Sequence, residues 1–87
     1  MCTMISQQVA VSGSGKGTEG WFPVQQVSVS YDHPSNAELE YTLNLDFVNE
    51  ALGPCARVAV ELDAASARAL VKTIEAVLAR AKAGGYL

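Results

Sequence analysis

The chain offers few side chains that could do chemistry. His33 is its single histidine, in Asp32-His33-Pro34, and histidine is the side chain that ordinarily titrates near neutral pH. It could ligate a metal or act as a general base. A metal site would need further ligands, and Cys2, Cys55, Asp32 and Glu40 are the candidates. No C-x-x-C or H-x-x-H spacing joins them. Cys2 could also serve as a nucleophile, or bind through amine and thiol if Met1 is removed. A dyad of His33 with Cys2 or Cys55 is the catalytic option. His33, Cys2 and Glu40 therefore form the candidate metal set, with a transition metal as the implied cofactor. Against this stands the plainer reading: a turn histidine and a thiol packed as a small apolar residue.

The glycine-rich stretch Gly13-Ser14-Gly15-Lys16-Gly17-Thr18 suggests a phosphate loop but lacks its spacing. Ala10 stands where the first glycine is required, and Gly17 where the magnesium-binding hydroxyl belongs. The stretch 12–23 reads instead as a flexible loop that could close over a ligand, with Lys16 as its charge. Trp21 and Phe22 follow it and could line a pocket beneath. Lys16, Trp21 and His33 are thus the candidate ligand-binding residues. A fourth constellation, Glu38, Glu40, Asp46 and Glu61, could run acid–base chemistry if their environments differed. Its ordinary reading is a solvated polar face.

Alternating patterns must position these groups. Residues 1–11 alternate weakly and predict a strand. Val27, Val29 and Tyr31 alternate with Ser28, Ser30 and Asp32, predicting a strand over 25–32. Leu39, Tyr41, Leu43, Leu45 and Phe47 predict another over 38–48, and Val58, Val60 and Leu62 a fourth over 56–62. Asp63 is placed to cap a helix over 64–83, whose stripe runs Ala67, Leu70, Val71, Ile74, Val77, Leu78 and Ala81. Gly84-Gly85 ends it. The expected fold is α+β in one domain, 1–87. A four-stranded antiparallel sheet (β-β-β-β-α) is covered on one face by the C-terminal amphipathic helix.

The 87 residues are 49% hydrophobic with a formal charge of −3. That charge is divided. Residues 1–63 hold Lys16 and Arg57 against eight acids, while residues 64–87 hold four cations against Glu75. An acidic sheet argues against nucleic acid as a partner, since phosphate binding needs a basic face. No run reaches the roughly 20 apolar residues of a membrane span, and the N-terminus lacks a signal-peptide pattern. A cytoplasmic location with reduced thiols is expected. One helix on one sheet makes a thin core, so a homodimer is expected.

The chain resembles a small bacterial family described only as a domain of unknown function. The resemblance rests on Met1-Cys2-Thr3, on Gly13 through Gly17 followed by Gly20-Trp21-Phe22-Pro23, and on Asp32-His33-Pro34. It continues through Leu43 to Asn49, Arg57 to Leu62 and Ser66 to Leu70. It implies relatives with extra histidines where this chain has Asn36 and Tyr41, a His-Pro-x-His pattern suited to metal. Here only His33 and Glu40 remain of that pattern. The functional expectation is a binding or accessory protein with a ligand or protein-partner site near Lys16, Trp21 and His33. A metal- or thiol-dependent enzyme, and an interaction module using its acidic sheet face, are the alternatives.

Overall fold

The computed structural model describes residues 5–87. Four strands, β1 (Ile5–Gly17), β2 (Gly20–Asp32), β3 (Thr42–Val48) and β4 (Arg57–Leu62), precede one helix, α1 (Ala64–Ala83). The strands pair antiparallel in chain order, so β1 and β4 are the edges. This is the expected α+β meander with its C-terminal helix.

The glycine-rich segment departs from expectation. Residues 12–17 continue β1, and 20–23 open β2. The pair makes a long hairpin closed by a two-residue turn, Thr18-Glu19, with Gly20 at φ +108° where glycine is favoured. Gly13 pairs Val24 and Gly15 pairs Phe22, so these glycines share a face with two buried side chains. A Cβ on Gly15 would lie 3.0 Å from the Val24 Cγ2 methyl, and one on Gly17 would lie 3.2 Å from the Phe22 ring. Their role is therefore steric: the absent side chains leave room for Phe22 and Val24.

The register shifts between Ala10 and Gly13, leaving Val11 and Ser12 opposite Gln25. This bulge changes the phase of the hairpin. Phe22 and Val24 consequently pack with Phe47, Val58 and the buried Ala56, on the side that Val27 also faces. The opposite side carries Ser28, Ser30, Asn44, Asp46, Arg57 and Glu61, the polar face that the alternation predicts.

β3 begins at Thr42, not at residue 38. Residues 38–41 alternate like a strand, but Asp32–Thr42 is the last pair because β2 stops before Pro34. With no partner strand beside them, they form bends.

The helix matches expectation in its bounds and its cap: Asp63 Oδ1 accepts the Ser66 N–H at 2.7 Å. Its cover of the sheet is incomplete. No α1 residue is buried, and its stripe is exposed by 41% at Leu70 to 59% at Val77. The radius of gyration is 14.6 Å, against about 12 Å for a compact chain of this length. Among the described residues no helix is long and apolar enough to cross a membrane.

Candidate functional site

The candidate residues sit at two ends of the sheet. Lys16 pairs with Trp21 beside the hairpin turn. His33 follows the opposite end of β2, about 35–40 Å away at the usual strand rise. The expected convergence of the glycine segment, Trp21 and His33 into one zone is therefore not formed. A 13-residue strand separates the two ends.

At the His33 end, the chain leaves β2 through a turn held by its own side chains. Asp32 Oδ1 accepts the His33 N–H at 2.7 Å. The His33 ring stacks on Tyr41, with centroids 4.8 Å apart, and Tyr41 stacks on Tyr31 at 6.1 Å. His33 Nδ1 lies 3.0 Å from the backbone carbonyl of Glu40. A carbonyl only accepts, so Nδ1 carries the proton and the neutral ring keeps its lone pair on Nε2. This fixes one nitrogen that could accept a proton or meet one metal coordination position.

The remaining ligands of the candidate set do not gather there. Glu40 meets His33 through its backbone, not its carboxylate. Cys2 lies outside the described residues. Among the described residues no three of His, Cys, Asp and Glu cluster at metal-binding distance. Cys55 is exposed in the β3–β4 connection and lines a cleft of about 170 Å³ with Trp21, Gly20 and Leu52. That places it at the far end from His33, so the Cys55–His33 dyad is not formed.

The carboxylate set is likewise dispersed. Glu38 and Glu40 lie in the bends, off the sheet. Asp46 is held by Arg57 through two bonds of 2.6 and 2.9 Å. The same hydrogen bonds and charge push the Arg57 guanidinium further up from its ordinary value. Glu61 accepts backbone N–H groups from Ser35 (2.6 Å), Asn36 (3.1 Å) and Ala37 (2.9 Å). These bonds, led by Ala37 and Ser35, hold its carboxyl below the ordinary glutamate value. Asp46 is thus engaged in a surface ion pair, and Glu61 is a structural anchor.

Sequence reasoning placed Glu61 only in the acidic set and missed its role as an anchor. Three backbone donors after Pro34 require an acceptor. Glu61 stands some 25 positions downstream, so only the fold identifies it. Asn49 is a second such anchor. Its side chain donates to the Pro23 carbonyl at 2.9 Å and accepts the Ala51 N–H at 3.2 Å. It ties the hairpin to the β3–β4 connection while only 3% exposed.

A predominantly apolar groove lies elsewhere, between α1 and the sheet. Of about 430 Å³, it runs between Ala67, Leu70, Val71 and Ile74 of the helix and the sheet residues Val27 and Leu45. It is continuous in character with a second groove along the hairpin half.

Fold and surface together define a small α+β protein with an open apolar side. The chain belongs to a family of unknown function (DUF6295), whose model matches residues 1–86. No curated protein and no solved structure matches it.

Proposed function

We propose that the chain is a small binding or accessory protein that works as a homodimer, with its apolar helix–sheet side as the seam. One observation carries this reading: a 20-residue amphipathic helix buries none of its residues against the sheet beside it. Fully burying one exposed Val, Leu or Ile is worth about 1.5–3 kcal/mol. Each of the five residues Leu70, Val71, Ile74, Val77 and Leu78 is 41–59% exposed, so about half of that gain per residue remains for association.

Area supports the same reading. The accessible surface is 6652 Å², against about 4,900 Å² for a compact monomer of 9.2 kDa. The excess, roughly 1,700 Å², is ample for the ~800 Å² each partner contributes to a stable interface. On this reading Trp21, 70% exposed near the hairpin turn, stays outside the seam and is the surface offered to a ligand or a protein partner.

Sedimentation equilibrium of wild type and Ile74→Asp tests the dimer. Wild type should sediment at twice the chain mass at micromolar concentration, and Ile74→Asp at the chain mass. A cooperatively folded wild-type monomer at that concentration overturns the proposal.

A further inference from the structure

We infer that the groove along the hairpin half of the sheet seats the C-terminal half of α1 from a second copy of this chain. The inference rests on the homodimer reading and names its geometry.

The groove, of about 400 Å³, is largely apolar: Val24, Val27, Phe47 and Val58 line it beside Gly13 and Gly15, with Ser14 and Lys16 also on its lining. No helix residue lines it. The adjoining groove does receive α1, but only through residues 67–74. Beyond Ile74 the stripe continues through Val77, Leu78 and Ala81, and Val77 and Leu78 are more than half exposed or close to it. One molecule therefore carries an apolar helix half without a floor and an apolar floor without a helix.

The glycines give the floor its shape. Gly13 and Gly15 leave one wall of the groove without side chains, where alternation would otherwise place two. A helix can approach a backbone closely at such positions. Gly15 is already committed to making room for Val24. Gly13 is not: a Cβ there meets nothing within 4 Å, so its space opens into the groove.

A second copy is the occupant because the two open surfaces are complementary and belong to the same chain. A two-fold operation that puts helix onto groove once does so twice, and closes the assembly. Each copy then covers both of its open surfaces, and the surface excess leaves area for both contacts. An unrelated helix would fill the groove and leave the Val77–Leu78 stripe bare.

The test compares wild type, Val77→Asp and Gly13→Trp of the full chain by sedimentation equilibrium, with circular dichroism and urea titration as the fold control. Gly13→Trp fills the groove from a position with free space and leaves the helix untouched. Both variants should keep the fold and weaken dimerisation on the order of 100-fold or more. If Val77→Asp becomes monomeric while Gly13→Trp stays dimeric, the helix forms the seam but the groove is not its seat. That overturns this inference and spares the homodimer. A folded wild-type monomer overturns both, as does a wild-type dimer that neither variant weakens.

Discussion

Ser35 donates its backbone N–H to Glu61 across 2.6 Å, joining the β2–β3 connection to the polar face of β4. Asn36 and Ala37 donate to the same carboxylate, so one side chain anchors the segment that follows His33. The His33–Tyr41–Tyr31 stack and the Nδ1 bond to Glu40 lie on that segment, and its geometry depends on an anchor from another strand.

The anchor is sensitive to acid. The Glu61 carboxyl is depressed in the folded chain, so its contribution is present above the ordinary glutamate value and is lost as pH falls through the folded value. Hydrogen exchange should show Ser35, Asn36 and Ala37 protected at neutral pH and released in acid. Glu61→Gln should lose most of that protection at neutral pH, with no acid step left. Protection unchanged in Glu61→Gln would contradict the anchor.

The glycines of the hairpin should differ in kind. At Gly13 the φ is not left-handed and a Cβ has free space within the chain, so in the monomeric Ile74→Asp background Gly13→Ala should be neutral or stabilising by up to about 1 kcal/mol. Gly15→Ala presses on Val24, which is buried and cannot easily turn away. It should cost about 1–2 kcal/mol relative to Gly13→Ala. Urea unfolding of the two variants under identical conditions gives the difference. Equal stabilities would return the segment to a flexible loop.

Asn49→Ala removes a donor to Pro23 and an acceptor for Ala51 at a site closed to solvent. A loss of about 1–3 kcal/mol is expected by chemical denaturation. A loss below about 0.5 kcal/mol, the level of an ordinary surface substitution, would contradict its tying role.

The Asp46–Arg57 pair should matter little. Both side chains are partly exposed, and such pairs contribute about 0–1 kcal/mol, less at high salt. A double-mutant cycle should return a coupling in that range that shrinks as salt rises. A larger, salt-independent coupling would contradict this account of the polar face.

Local patterns made much of the fold legible. The helix over 64–83, its Asp63 cap, the strand predicted over 25–32 and the polar face of Ser28, Asn44 and Asp46 all follow from spacing within one element. What was not legible depends on partners distant in sequence. Glycines at 13, 15 and 17 suggest mobility by composition, and only the pairing of β1 with β2 shows that Gly15 and Gly17 make room for Val24 and Phe22. Residues 38–41 carry a strand's alternation but have no strand beside them. The single ligand zone failed for the same reason. Trp21 and His33 are 12 positions apart in a chain that runs extended between them, so proximity in sequence became distance in space. The Glu61 anchor joins segments that no local rule connects.

The stripe of α1 is the feature on which the functional reading rests, and its coverage in solution can be weighed directly. Sedimentation equilibrium of the 87-residue chain at micromolar concentration should give twice the 9.2 kDa chain mass, falling to the chain mass in Ile74→Asp. A wild-type protein that is folded and sediments as a single chain would contradict the account.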